Sequence, residues 1–200
     1  MTRRALIWFG LAVASPWGCT ESGAAAPPAA AQPVSAPMNA KDQLVGSATA
    51  SSHHLEIELA WTNDTQASVW VALALPRQAG ASVKPDPVAA DVEVDQDRVV
   101  ISRRLHPMPK TALFEAPEVP EWRLIAPGER YTGKMIVGWP LTHRVPYAKP
   151  GQTGALGTPT VVRCVIGTLP ATDSKPPAYR PSHVDAQTLL TADIHVTTGS

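Results

Sequence analysis

The sequence predicts an all-β domain, an antiparallel β-sandwich of about seven to eight short strands, preceded by a disordered tether. Three observations support this prediction. Apolar and polar residues alternate with a period of two in several short segments, which is the pattern of half-buried strands. Turn-forming residues separate these segments. The 21 prolines and 13 glycines among 200 residues also interrupt the chain too often for long helices.

Residues 1–18 are predicted to be a signal peptide. Arg3 and Arg4 give the segment a positive start, and an apolar stretch of about ten residues (5–14) follows. A helix that spans a membrane needs about twenty residues, so this stretch is too short to cross and instead matches the apolar part of a secretory signal. The sequence therefore predicts export.

Cys19, at the end of this leader, is predicted to be lipidated. The residues Pro16, Trp17, Gly18 and Cys19 resemble the lipobox of bacterial lipoproteins, whose cysteine becomes diacylated. Gly18 and Cys19 match that motif, whereas Pro16 and Trp17 depart from it. The resemblance implies a lipoprotein anchored to a membrane of the bacterial cell envelope, at the outer membrane or facing the periplasm. The alternative is cleavage at the small residues 23–26, which would remove Cys19 with the leader.

Residues 19–44 are rich in alanine, proline and serine and are predicted to be the tether. Such residues cannot bury enough apolar surface to offset the entropy of ordering. A proline-rich segment is semi-rigid and reaches up to about 3.1 Å per residue where it is extended. The tether would therefore hold the folded domain several nanometres from the membrane.

The domain itself, residues 45–200, opens with two alternating strands. "HLEIELAW" (54–61) places its apolar side chains on one face, and "TNDTQ" (62–66) has the composition of a turn. "SVWVALALP" (68–76) continues as a strand that is apolar on both faces, because Trp70, Ala72 and Ala74 occupy the second face. This strand is therefore expected to be covered on both sides.

Four further segments continue the strand pattern. "DVEVDQDRVVISRRL" (91–105) and "EWRLIAPGERYTGKMIVGWP" (121–140) are predicted hairpins, the second with a Pro-Gly turn. "TVVRCVIGTL" (160–169) is typical of a central strand, and "TLLTADIHV" (188–196) is a strand, or alternatively a short helix. The turns "TNDT" and "L-x-x-PGE" resemble those of exported bacterial immunoglobulin-like domains, so the resemblance implies an immunoglobulin-like sandwich.

Net charge and motifs exclude several classes of function. Outside the leader the chain has fifteen basic and seventeen acidic residues, a net charge of about −2, and no basic stripe. Nucleic acid is therefore not an expected partner. No P-loop, dinucleotide-binding, zinc-protease or nucleophile-elbow motif occurs, so the chain is not expected to be an enzyme.

Few residues suggest a specific chemistry. Cys164 lies in phase with Val162 and Ile166 and is expected to be a core residue, with a disulfide to Cys19 or a catalytic thiol as alternatives. Histidine and methionine suit copper(I), and an H-x-M pair resembles part of the motif of periplasmic copper chaperones. The possible copper ligands are His53, His54, His106 and Met108.

The leading hypothesis is therefore a non-enzymatic, lipid-anchored domain that binds a protein or another envelope component. Its contacts are expected from two proline-rich loops, 106–121 and 140–159, because loops on a rigid sandwich commonly carry recognition. Trp122, emerging from "PEVPEW", is the best-placed exposed aromatic for such binding. Copper binding or delivery is the alternative, and a protease-inhibitor role rests on fold analogy alone. No cofactor is expected unless it is copper.

Overall fold

A computed structural model describes residues 44–79, 82–109, 117–148 and 154–199 of the chain. The leader, Cys19 and almost all of the predicted tether lie outside the described residues. Within them the chain forms one short helix, α1 (Pro181–Ala186), and twelve strands. The strands are β1 (Val45–Ala50), β2 (His54–Thr62), β3 (Val69–Ala79), β4 (Ser82–Asp86), β5 (Asp91–Asp95), β6 (Arg98–Arg103), β7 (Glu121–Ile125), β8 (Arg130–Gly138), β9 (Leu141–Thr142), β10 (Ala155–Gly157), β11 (Val161–Pro170) and β12 (Thr188–Thr198).

Ten of these strands form one mixed sheet. Its main path runs β4-β3-β11-β12-β1-β2-β8. Strand β6 also pairs with β11, β5 with β6, and β7 with β3, while β9 and β10 form a separate small sheet. The sheet curls. One contact shows this, because the backbone N–H of Ile136 in β8 donates to the carbonyl of Val88 in the β4–β5 connection, 2.8 Å away. The two ends of the sheet path are thereby brought together around one core.

The predicted all-β, sandwich-like fold is confirmed. Two strand pairs, β1–β12 and β6–β11, are parallel, so the sheet is mixed rather than purely antiparallel. Four strands, β1, β4, β9 and β10, are additional to the prediction. The last three lie in segments interrupted by proline and glycine, which show no alternating pattern. The segment 188–196 is a strand, as predicted, and not the alternative helix.

The main core follows the alternation that the sequence displays. In β2 the inward side chains of Leu55, Ile57, Leu59 and Trp61 are all buried, and β8 contributes Tyr131, Met135 and Val137 from the neighbouring strand. Because every second residue points to the same face, the period-two pattern alone specifies which side chains enter this core.

Cys164 belongs to the same core. Its side chain is fully buried, and burial raises the pKa of the thiol to about 12. The expectation of a core cysteine is therefore confirmed, and the protonated thiol is a poor nucleophile. Cys19, the partner in the alternative disulfide, is outside the described residues.

A second apolar cluster lies on the other face of β3, as expected from its apolar second face. Its buried members are Trp70, Ala72, Leu105, Trp122 and Leu169, and residues of the 171–184 segment pack against it. The prediction that Trp122 is exposed is wrong, since only 7% of it is accessible. Trp122 lies opposite Ala72 in the β3–β7 register, which places its indole beside Trp70 and under the later segment.

The two turns that resemble immunoglobulin-like domains are hydrogen-bonded to each other. The buried Asn63 amide donates to the carbonyls of Ala67 (2.9 Å) and Ile125 (3.1 Å). Its backbone carbonyl accepts from the N–H of Gly128 at 2.7 Å. Asn63 therefore joins the β2–β3 turn to the β7–β8 turn at one end of the sheet.

Within the described ranges, no helix is long and apolar enough to cross a membrane.

Candidate functional site

The two proline-rich loops that the sequence singles out meet in the structure. Only parts of them are described, residues 106–109 and 117–121 of the first and residues 140–148 and 154–159 of the second. The backbone N–H of Glu118 in the first loop donates to the hydroxyl of Tyr147 in the second, 2.6 Å away. Tyr147 has a φ of 62°, a left-handed conformation that is uncommon for residues other than glycine and that persists only where its surroundings fix it.

Beneath this contact lies a buried ion pair. Asp91, the first residue of β5, is only 1% exposed, and its Oδ1 is 2.7 Å from Nη2 of Arg77 in β3. The same guanidinium donates to the carbonyl of Ala90 (3.2 Å) and lies 3.4 Å from Oε2 of Glu118. Arg77 thus connects the buried carboxylate of the sheet to the first loop.

His106 completes the group on the other side of Asp91. Its side chain is 7% exposed, and its Nε2 lies 3.2 Å from Oδ2 of Asp91. Neither atom makes a directed hydrogen bond within the described residues, so the contact is one of proximity. We call Arg77, Asp91, His106 and Glu118 the ionic cluster.

Burial sets the electrostatics of this cluster. Desolvation raises the pKa of Glu118, and the nearby Asp91 adds to the rise, while Arg77 opposes it. Burial also raises the pKa of the Tyr147 hydroxyl, which stays protonated. Because Asp91 is almost completely buried with a cation on one side, removal of either partner would leave an uncompensated charge.

A cleft of about 420 Å³ opens beside the cluster. Arg77, Asp86 and Arg144 supply its charged groups. The backbones of Arg144 and Val92 exchange two hydrogen bonds of 2.7 Å, so the start of the second loop is fixed to β5. The exposed Arg144 side chain is thereby held at the rim of the cleft.

The base of this region is a buried arginine that the sequence reasoning missed. Arg103 in β6 is 1% exposed, and no carboxylate lies within ion-pair distance of it among the described residues. Its guanidinium donates to the backbone carbonyls of Leu73 (2.5 Å), Pro87 (2.8 Å), Ala89 (3.0 Å) and Lys134 (3.0 Å). Desolvation lowers the pKa of Arg103, and the neighbouring Tyr131 opposes this.

Arg103 therefore joins β3, the β4–β5 connection and β8 at the place where the sheet curls. A signal of this role is present in the sequence. Arg103 continues the alternating phase of Val99 and Ile101, so it is a charged residue at a position that the pattern assigns to the core.

The possible copper ligands lie in two different surroundings. His53 lies in the β1–β2 turn and His54 is the first residue of β2, where its Nδ1 is 2.9 Å from the Ser51 hydroxyl. His106 faces Asp91, and the backbone N–H of Met108 donates to the Tyr179 hydroxyl (3.1 Å). Across the described ranges, no group of three or more His, Cys, Asp or Glu side chains is arranged to hold a metal ion. Copper binding stays an untested alternative.

Comparisons with known proteins add no relative from which a role could be transferred. No protein-family model, no curated protein and no solved structure matches this chain. The functional conclusion therefore rests on the residues and contacts described above.

Proposed function

We propose that this chain is an exported, lipid-anchored, non-enzymatic domain that binds a protein or another envelope component through its two proline-rich loops. The leader supports export, and Gly18-Cys19 followed by an Ala/Pro/Ser-rich segment supports anchoring at the cell envelope. Two or more acyl chains on a lipoprotein hold it on a bilayer durably.

One observation carries the binding proposal, namely that both loops are fastened to the same buried ionic cluster. Arg77 reaches Glu118 of the first loop, and Glu118 donates to Tyr147 of the second. Loops that are held in place before binding lose less entropy when a partner docks. Such anchoring of long surface loops is what a recognition surface on a sandwich requires.

The burial of the cluster favours recognition over catalysis. Asp91 and His106 form the pair that most resembles catalytic machinery, yet they are 1% and 7% exposed. A general base must come within hydrogen-bond reach of its substrate proton. Buried in this way, the pair is better suited to hold the loops than to contact a substrate.

Site-specific photo-cross-linking in cells tests the binding proposal. A benzophenone amino acid replaces Arg144 at the rim of the cleft, and the control carries it at Glu58 on the exposed face of β2. We expect a discrete cross-linked species from position 144 that position 58 does not give. Equal products at both positions, or none at position 144, would contradict the proposal.

Metabolic labelling with palmitate tests the anchor separately. We expect the wild-type chain to be labelled and Cys19→Ser to be unlabelled and released from the membrane fraction. An unlabelled wild type whose mature N-terminus lies beyond residue 24 would contradict lipidation. It would not bear on the proposed binding surface, which the cross-linking experiment tests separately.

A further inference from the structure

The outer face of β3 carries a cavity that is separate from the ionic cluster. Its floor is Trp70, which pairs in register with Leu169 of β11 on one side and with Leu124 of β7 on the other. Pairing on both sides fixes the backbone of Trp70, and only 7% of the residue is accessible. The segment after β11 forms the wall and encloses about 530 Å³.

The volume and the apolar lining suit a small molecule. Sites for small ligands measure roughly 300–1,000 Å³ and are mostly apolar with a few polar groups. Here Leu169 and the neighbouring Pro176 and Pro177 join Trp70 as apolar surface. A flat apolar body fits this lining because it can pack on the proline rings and on the accessible part of the indole.

The charged residues of the cavity favour an anion. Lys175 and Arg180 both line it, against the single carboxylate of Asp173. Neither cation is within ion-pair distance of a carboxylate among the described residues, and both side chains are exposed. His183 also lines the cavity, and its Nδ1 is 2.7 Å from the Ala178 carbonyl, so this nitrogen carries the proton.

We propose that the Trp70 cavity binds a small organic anion with a flat apolar body. The body packs on Trp70 and the prolines, and its carboxylate, sulfonate or phosphate group faces Lys175 and Arg180. This site is independent of the loop surface, because none of its lining residues belongs to the ionic cluster.

Fluorescence titration with 8-anilinonaphthalene-1-sulfonate tests this proposal. N-phenyl-1-naphthylamine has the same ring system without the sulfonate, so the difference between the two probes measures the contribution of the negative charge to binding. The test variant is Lys175→Gln with Arg180→Gln. The control variant, Lys84→Gln with Arg130→Gln, removes two exposed cations elsewhere in the described chain.

We expect the wild type to bind the sulfonate probe saturably. The dissociation constant should rise about tenfold in the test variant and stay unchanged in the control variant, because two partly exposed charge contacts together contribute roughly a factor of ten in affinity. Binding of the uncharged probe should be equal in all three proteins. Sulfonate binding that is absent from the wild type, or equal in the test and control variants, would overturn the proposal.

Discussion

Replacement of Asp91 by asparagine tests whether the ionic cluster holds the loops. The substitution keeps the size of the side chain and removes its charge. Arg77 Nη2 lies 2.7 Å from Asp91 Oδ1, and the two side chains are 14% and 1% exposed. Loss of one partner from a buried pair costs about 3–5 kcal/mol. Arg77 keeps its contacts with Ala90 and Glu118, so we expect about 3 kcal/mol, at the lower end of that range.

Chemical denaturation measures this cost as a difference in the free energy of unfolding. The matched control is Glu56→Gln, which breaks the pair between Glu56 and Lys134. Those side chains are 33% and 43% exposed, so we expect a loss of at most about 1 kcal/mol. In Asp91→Asn the backbone amide of Glu118 should also exchange its hydrogen faster, because Arg77 loses its charged partner Asp91, is itself less firmly fixed, and therefore restrains Glu118 less. A loss below about 1 kcal/mol, equal to that of the control, would refute the reasoning.

Three further predictions address separate features. Gly133→Ala should lose about 1–3 kcal/mol of stability in thermal or chemical denaturation, because a Cβ there would lie 2.3 Å from the Tyr131 hydroxyl. Gly138→Ala, where no atom lies within 4 Å of the added Cβ, should be near neutral, and an equal loss in both variants would contradict the clash. In a Cys19→Ser background, Cys164 should resist thiol reagents at pH 8 and react after unfolding. The reason is that a pKa of about 12 in place of 9.0 lowers the thiolate fraction about a thousandfold. Rapid labelling of the native protein would contradict the burial of Cys164. Calorimetric titration with copper(I) should detect no binding tighter than millimolar, whereas tight binding that is lost in His106→Ala would favour the copper alternative.

The strands of the main core are readable from the sequence because burial of one sheet face imposes a period of two. Leu55, Ile57 and Leu59 are buried as the alternation requires, and the both-sided burial of β3 follows from Trp70 and Ala72. Strand pairing is not readable in the same way. Alternation specifies a face but not a neighbour, so nothing local indicates that β12 runs parallel to β1.

The ionic cluster could not be predicted because its members come from four separate parts of the chain. Arg77, Asp91 and His106 are at least fourteen residues apart, and each is individually an ordinary charged or titratable residue in a strand or beside one. Arg103 is different, since its position in the apolar phase of β6 marks it as unusual. Attention to that phase would have identified the buried arginine.

Trp122 illustrates the opposite error. Its proline-rich surroundings suggest a surface position, but the side chain packs against Trp70 beneath residues that lie about fifty positions later in the chain. The composition of the neighbouring residues does not show whether a side chain is buried by a segment that is distant in the sequence. The exposed partner-binding groups are therefore better sought among residues such as Arg144 at the rim of the cleft.

The most direct test of the central claim is photo-cross-linking from position 144 in the wild type and in Tyr147→Phe. The substitution removes the acceptor of the Glu118 N–H, a hydrogen bond between the loops worth about 0.5–1.5 kcal/mol, on a half-buried side chain. We predict that the yield of the cross-linked partner falls several-fold while the protein remains folded. An unchanged yield in folded Tyr147→Phe would contradict the claim that the joined loops form the binding surface.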